Sequence, residues 1–286
     1  MNNKGQTAIS LVVSGLLVLS VRAFADDAPD KAQFNLLHPT LVEFMRELSP
    51  DRPDKTECPY TVDAGHVQLE MDFANFTSDR TSGTTTRAWN ITPINFKVGL
   101  FNNVDLQLIF DSYLQVHTEN SVGKTATQSG VGDFTIRTKI NLWGNEGRGT
   151  AFALLPFLKF PTSTGGLGNN SIEGGLILPL AIPLPQSFDL GLETGASFMR
   201  NGSDREYHAE FINSITLGHP IVGNLSAYVE FFSNVSTERK SDWQGTADVG
   251  FMYAIGKNME LDCGCNFGIT SAADDWNPFA GVTMRF

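Results

Sequence analysis

Acidic residues recur on one side of alternating apolar and polar segments in the second part of this 286-residue sequence, and they are the groups best suited to chemistry. Rings of acids favour cations in a pore, and clustered acids can hold a divalent metal ion. The acids that share the polar side are Glu70, Asp72, Asp105, Asp111, Asp133, Glu173, Asp189, Glu193, Glu210, Glu230, Asp248, Glu260 and Asp262. The bases on the same side are Lys97, Arg137, Lys139, Lys159 and Arg285.

Two interpretations of these charges remain open. They can pair with one another to fill and solvate a narrow interior, or they can line a path for cations or polar solutes. The acids have no ordered ligand spacing of the kind found in calcium loops, so we expect neither a metal ion nor a cofactor.

Two histidines, His66 and His208, lie on the polar side and raise the alternative of a hydrolase. Such an enzyme needs a nucleophile, a base and an orienting group within hydrogen-bond reach. No GxSxG motif occurs, and neither histidine can be linked by sequence to a serine and an acid. The glycine-rich residues 165–170 precede no helix, so they indicate an outer loop rather than a phosphate site. We therefore expect no enzyme.

Composition excludes further classes of protein. The formal net charge of −11 disfavours nucleic-acid binding, which needs clustered lysine and arginine. Three cysteines, Cys58, Cys263 and Cys265, are too few for a disulfide framework. The mean hydropathy of −0.10 argues against a bundle of membrane helices, but it is compatible with a membrane β-barrel, whose two faces average out.

The elements that would position the charges are β-strands. Residues 66–73 place Val67, Leu69, Met71 and Phe73 on one face and polar residues on the other, and this period of two continues to residue 286. A charge facing lipid costs about 2–4 kcal/mol near the midplane for Arg or Lys, so the polar face must line the interior. Trp89, Trp143, Trp243 and Trp276 at strand ends are typical of interfacial aromatic belts.

The connections predict the topology. Short turns alternate with longer loops, which include residues 78–84 and 118–130, and about twelve strands lie between them. An even number of strands, with both ends of the barrel chain on the short-turn side, predicts an all-β fold, namely a transmembrane antiparallel up-and-down β-barrel. Residues 277–286 would close it by pairing near Val67.

Two regions depart from simple alternation. The apolar face changes parity between Trp89 and Phe96, which predicts a bulge near Pro93. Residues 151–160 and 172–184 are apolar on both sides, so we expect them to be neighbouring strands with an apolar interior face.

The part of the sequence before residue 64 differs from the barrel. Residues 1–25 have the pattern of a secretory signal peptide, with Lys4, an apolar middle and a small-residue cleavage site. Residues 26–63 form a leader in which residues 39–48 have helical spacing. This leader either stays in the periplasm or enters the lumen as a plug, in which case Arg46, Arg52 and Lys55 are the residues expected to pair with the lumen acids. Residues 64–286 form the barrel.

Several blocks of residues resemble a bacterial outer-membrane transporter family that is named after the meta pathway of phenol degradation. The first block is LSPDRPDKTECPYTVDAG at residues 48–65, and similar blocks lie at residues 130–139, 155–159, 173–179 and 207–210. The resemblance covers most of the chain after the signal peptide. It implies an outer-membrane β-barrel of a Gram-negative bacterium that passes small, organic or aromatic solutes.

The expected function is therefore a channel with a narrow acidic lumen, with a structural barrel without solute flux or an outer-membrane hydrolase as alternatives. The expected partners are outer-membrane lipid, the outer-membrane assembly machinery and small solutes, with no nucleic acid. The final residue, Phe286, resembles the tail by which such barrels are recognised for assembly.

Overall fold

A computed structural model of the chain describes residues 30–202, 204 and 206–286. The predicted signal peptide, residues 1–25, lies outside the described residues. Thirteen strands follow one another along the described chain. They are β1 (Val67–Thr81), β2 (Thr84–Phe101), β3 (Val104–Asn120), β4 (Thr125–Gly130), β5 (Phe134–Trp143), β6 (Ala151–Phe160), β7 (Glu173–Leu184), β8 (Phe188–Arg200), β9 (Tyr207–Val222), β10 (Leu225–Ser236), β11 (Gln244–Ile255), β12 (Met259–Gly268) and β13 (Trp276–Arg285).

The strands form one closed antiparallel barrel. Each strand pairs with its neighbours in the chain, and β13 returns to pair with β1, where Gln68 lies opposite Arg285. Strands β4 and β5 both pair with β3, one beside each half of it, so together they fill one of twelve positions in the wall. The predicted up-and-down barrel is confirmed. Closure leaves no unpaired sheet edge facing lipid, which is the condition for a β structure to cross a membrane.

Alternation along the strands separates a polar interior from an apolar exterior. In β1, Gln68, Glu70 and Asp72 are buried, whereas Phe73 is 53% exposed. The four tryptophans at strand ends lie on the exterior, and the rings of Phe76 and Trp89 are 4.6 Å apart. Such an exterior is the surface that a lipid bilayer covers.

Strand β2 changes face at Thr92, where φ is +53°. Trp89 before this point is 43% exposed, whereas Lys97 after it is 1% exposed. The pairing of β2 with β1 and with β3 keeps the same register on both sides of Thr92, so no residue is inserted near Pro93, and the register of β2 with β3 shifts only between Gly99 and Phe101. The predicted bulge near Pro93 is therefore wrong in detail: a register shift is found between Asp72 and Ala74 of β1, opposite β13.

The connection from β1 to β2 is also tighter than predicted. Both strands extend to a two-residue turn, Ser82 and Gly83, whose φ values of +51° and +78° match the primed turns that suit hairpins. The expectation of a long loop at residues 78–84 is wrong. Apart from residues 144–150 at the opposite end, the connections of six or more residues lie at residues 161–172, 201–206, 237–243 and 269–275, at one end of the barrel. That end is called the loop end, and the other the turn end.

The residues before β1 adopt mainly extended backbone with two single turns of 3-10 helix, Lys31–Gln33 and Val42–Phe44. The predicted helical spacing over residues 39–48 does not produce an α-helix. The Thr40 N–H donates to the Ala64 carbonyl and the Arg46 N–H to the Asp63 carboxylate, so these backbone groups bond outside the segment. Within the described residues, no helix is long and apolar enough to cross a membrane.

Candidate functional site

The lumen of the barrel contains residues 46–63, which we call the plug segment. Its backbone and side chains bond to inward-facing residues of strands on every side of the barrel. The wall residues that bond to it include Glu70, Asp72, Lys97, Asp105, Arg137, Lys139, Glu193, Ser214, Glu230, Asp248, Asp262 and Arg285. All the predicted plug residues, Arg46, Arg52 and Lys55, lie in this segment and contact the wall.

Asp51 is the most densely paired residue of the plug segment. Its carboxylate contacts the ammonium groups of Lys97, at 2.5 Å, and of Lys139. Burial would raise the pKa of Asp51, but the attraction of Lys139 and Lys97 holds it well below its usual range. Both lysines are almost fully buried, so Asp51 compensates the charge of Lys139 and shares the compensation of Lys97 with the wall residue Glu70.

Arg52 is held by two carboxylates from different strands. Its Nε and one terminal nitrogen donate to the two oxygens of Asp262, at 3.0 Å and 2.6 Å. Asp72 lies 2.5 Å from the same terminal nitrogen, and the guanidinium is 5.9 Å from the centre of the Phe279 ring. A fork of this kind fixes both the position and the orientation of the guanidinium plane.

Lys55 occupies a second cation position. Its ammonium nitrogen lies 3.2 Å from Asp248 and 2.8 Å from the Thr246 hydroxyl, and 4.8 Å from the centre of the Phe232 ring. A carboxylate and an aromatic face thus bind both Arg52 and Lys55.

Wall carboxylates also bind the backbone of the plug segment. An extended, proline-interrupted chain cannot satisfy its own N–H groups, and a buried N–H without a partner costs free energy. Four wall acids supply the acceptors. The pairs are Asp51 N–H to Glu70 at 3.2 Å, Lys55 N–H and Thr56 N–H to Glu230 at 2.9 Å and 2.8 Å, Glu57 N–H to Glu193 at 2.7 Å, and Val62 N–H to Asp105 at 3.0 Å.

Glu57 makes a two-point contact with the guanidinium of Arg137. Burial raises the pKa of Glu57 to about 7, although the attraction of Arg137 opposes the rise. Its neighbour in the segment, Asp54, is also buried, and burial together with the nearby Glu230 raises the pKa of Asp54 well above its usual range. This side of the plug segment is therefore sensitive to proton uptake near neutral pH.

The plug segment is tied down at the turn end as well. Arg46 lies 3.2 Å from Asp63 and donates to the Asn102 carbonyl at 3.0 Å. Arg285 reaches Asp63 at 3.4 Å and donates to the Arg46 carbonyl at 2.9 Å. The two ends of the segment therefore share one ionic cluster beside the β13–β1 closure.

The remaining predicted lumen residues form separate contacts that do not involve the plug segment. Lys159 pairs with Glu173, and Asp111 accepts from Asn90 at 2.6 Å. His208 lies 3.2 Å from Glu210. Asp133 accepts from the Ser163 backbone at 2.9 Å and lies 4.0 Å from Lys159, while Asp189 is exposed at the turn end. Most of the predicted lumen residues thus either contact the plug segment or form separate contacts nearer the loop end.

The two histidines of the polar side have the following hydrogen-bond partners among the described residues. The ring nitrogens of His66 contact the carbonyls of Phe286 and Thr40, and those of His208 contact Asn201 and Glu210. No serine hydroxyl is among these partners. Within the part of the chain that the structure describes, no three His, Cys, Asp or Glu residues are arranged to hold a metal ion.

Cavities remain around the plug segment. One of about 290 Å³ lies between the segment and strands β7–β12, and its lining combines Pro53, Pro59 and Tyr60 with Leu190 and Tyr228. The apolar strands β6 and β7 are neighbours, as predicted, and β7 contributes to this lining. Two further cavities of about 450 Å³ and 540 Å³ adjoin Arg46 and Glu47 at the turn end.

Sequence reasoning did not identify the acids of the plug segment or the small wall residues that admit it. Asp51 and Glu57 are central to the site, yet only cations of the leader were predicted to bind. The sequence did contain a signal for the acids of the plug segment. The inward bases Lys97, Arg137 and Lys139 need anionic partners, and their own strands do not supply them. Gly281 is a further example, because a Cβ there would lie 2.4 Å from a terminal nitrogen of Arg52.

Comparison with known proteins gives one family and several similar folds. The model of the family described as "Putative MetA-pathway of phenol degradation" matches residues 50–286. An outer membrane channel from Pseudomonas putida superposes with a TM-score of 0.57 at 13% identity, covering 84% of this chain and 100% of that chain. The transport unit of the autotransporter AIDA-I from Escherichia coli superposes with a TM-score of 0.55 at 12% identity, covering 83% and 92%. At these identities the likeness is one of fold. No curated protein matches the chain.

Proposed function

The chain belongs to the family described as "Putative MetA-pathway of phenol degradation", and from its plugged lumen we propose that it is a gated channel for small solutes in the outer membrane of a Gram-negative bacterium. The plug segment is the gate. Solutes cross the barrel when the segment moves away from the wall, and no enzymatic step is involved.

The observation that carries this proposal is the pairing of wall charges with the plug segment. Lys139 and Asp262 of the wall find their ionic partners in Asp51 and Arg52. A barrel that served only as a scaffold could fill its interior with wall side chains. Ionic contacts and hydrogen bonds to a separate segment can instead be exchanged for water, since they carry little apolar surface that resists hydration.

The wall does not depend on the plug segment for closure. The β1–β13 ladder extends from Gln68 opposite Arg285 to Ser78 opposite Trp276. Backbone hydrogen bonds therefore close the barrel, and the segment can leave without opening an edge to lipid.

The solutes that suit this lumen are small, because a wall of twelve strands lies between the filled eight-stranded barrel and the wide porins. The cavity of about 290 Å³ beside the plug segment supports organic solutes with both polar and apolar groups, since Tyr60 and Tyr228 line it together with Glu260. Release of the segment would uncover Arg285 and ten further charged wall residues, seven of them acids and three of them bases. The ten are Glu70, Asp72, Asp105, Glu193, Glu230, Asp248 and Asp262 on one side, and Lys97, Arg137 and Lys139 on the other. This excess of acids favours cations.

A reversible lock on the plug segment tests the proposal. The hydroxyl oxygens of Thr56 and Ser214 are 2.6 Å apart, which is close enough for a pair of cysteines at these positions to form a disulfide. The variant carries Thr56→Cys and Ser214→Cys in a background where Cys58, Cys263 and Cys265 are serine. We expect solute flux into liposomes and bilayer conductance to be low after oxidation and to recover on reduction.

Controls separate the gate from other effects. Each single cysteine variant receives the same oxidant and should conduct as the parent does. Equal flux in the oxidised and reduced double variant would show that solutes bypass the segment. The absence of flux under every condition, with correctly assembled barrel, would favour the alternative of a structural barrel without transport.

A further inference from the structure

The cation positions that Arg52 and Lys55 occupy are formed by wall residues alone. Asp72 lies on β1, Gly281 on β13 and Asp262 on β12, and the pairing places Gly281 directly opposite both aspartates. The three residues therefore form a row across adjacent strands, with a carboxylate on each side and a gap in the middle. We call this row, together with Phe279, the guanidinium subsite.

The gap in this row has the size of a planar cation. Adjacent strands are about 4.8 Å apart, so the two aspartate backbones are separated by about twice that distance across Gly281. A Cβ at Gly281 would lie 2.4 Å from a terminal nitrogen of Arg52. The absence of a side chain there is what admits the guanidinium between the two carboxylates.

Phe279 supports the same assignment. It lies two residues before Gly281 on β13, on the interior side, where it is buried among polar neighbours. An aromatic ring near a guanidinium, here 5.9 Å from its carbon, stabilises the cation through the ring face. Lys55 has an equivalent arrangement, because its ammonium group contacts both the Phe232 ring on β10 and the Asp248 carboxylate on β11.

We infer that these wall positions are solute-binding subsites for organic cations that carry a guanidinium or a primary ammonium group, and that Arg52 and Lys55 occupy them as tethered competitors. A solute with such a group displaces the corresponding side chain and weakens the hold on the plug segment. The inference rests on the proposed channel function in one respect, since the solute reaches the subsites through the lumen.

The binding test uses the full chain with Arg52→Ala, which empties the guanidinium subsite. Methylguanidinium is the probe, and methylurea, which has nearly the same shape without the charge, is the matched control. We expect methylguanidinium to raise the midpoint of thermal unfolding of Arg52→Ala by several degrees in a saturable manner, because a ligand that binds only the folded state stabilises it. Wild type should show a smaller rise that needs more methylguanidinium, since Arg52 competes for the site.

The double variant Arg52→Ala/Asp262→Asn identifies the site and should lose the response. An equal response in wild type and Arg52→Ala, or an equal effect of methylurea, would overturn the inference. If Arg52→Ala does not assemble, wild type supplies a second measurement: cleavage after Glu57 by a glutamate-specific protease should become faster with methylguanidinium and not with methylurea. Unchanged cleavage would then overturn it.

These measurements are independent of transport. They are made on detergent-solubilised protein, so a positive binding result with no flux would contradict the channel and leave the subsites standing. Flux without binding would contradict the subsites and leave the channel standing.

Discussion

Asp51 of the plug segment places a carboxylate oxygen 2.5 Å from the ammonium nitrogen of Lys97, although 46 residues separate them in the chain. The same carboxylate contacts Lys139, so one residue pairs with two buried cations on different strands. The plug segment is therefore held near its middle by a contact with the wall.

Replacing Asp51 by asparagine should release the plug segment. Loss of one partner of a buried ion pair costs about 3–5 kcal/mol, and the barrel can relieve this cost by admitting water in place of the segment. We expect higher conductance and faster proteolysis at residues 46–63, with the barrel itself still assembled. The control is Glu119→Gln, an exposed acid at the loop end, which should change neither quantity.

Gly281→Ala should weaken the binding of Arg52 in the guanidinium subsite. A Cβ there would lie 2.4 Å from both the guanidinium and the Met71 carbonyl, and overpacking of this kind costs about 1–3 kcal/mol. We expect the plug segment to be cleaved more readily by protease. Gly218→Ala is the matched control on β9, because its Cβ would meet nothing closer than 3.9 Å. If the two variants behave alike, the close fit at Gly281 has no role in holding the segment.

Docking of the plug segment should weaken as the pH rises from about 4.5 to about 7. The pKa of Glu57 is about 7 when docked and returns to its ordinary value near 4.3 when exposed to water. The docked state therefore binds the proton more tightly, so docking gains stability at low pH and loses it as the pH rises through this window. The raised pKa of Asp54 acts in the same direction, while Asp51 titrates below the window.

The measurement is bilayer conductance as a function of pH in wild type and in Glu57→Gln. Wild type should conduct more at pH 8 than at pH 5, and the variant should show a smaller difference. A wild-type conductance that falls as the pH rises would contradict the assignment. The oxidised Thr56→Cys/Ser214→Cys protein provides a closed reference at each pH.

Removing Phe286 should reduce the amount of assembled barrel. Its N–H donates to the Val67 carbonyl at 2.8 Å and its carbonyl accepts from the Val67 N–H at 3.2 Å, so it is the last link of the β1–β13 closure. Phe286→Tyr keeps the backbone and the aromatic ring and is the control. Heat-modifiable mobility on gels measures the assembled fraction, and normal levels of the shortened chain would refute the role of this residue in assembly.

The sequence by itself determined the barrel. A period of two is a local property, and a bilayer enforces it, because an inward residue can be polar at no cost while an outward one cannot. The alternation, the turn signals and the apolar pair β6 and β7 were therefore predictable one segment at a time. The helical spacing at residues 39–48 gave a wrong prediction for the same reason. Spacing describes one segment, and it does not show the neighbouring groups to which the backbone of that segment bonds.

Only the tertiary structure decided how the lumen is filled. The contacts that matter join residues far apart in sequence, such as Arg52 and Asp262, which are 210 positions apart. Parity indicates that a charge faces the interior, but it does not select its partner, because any inward acid is equally available to a cation of the leader. The choice depends on which strands lie side by side after closure and on where a residue such as Gly281 leaves room.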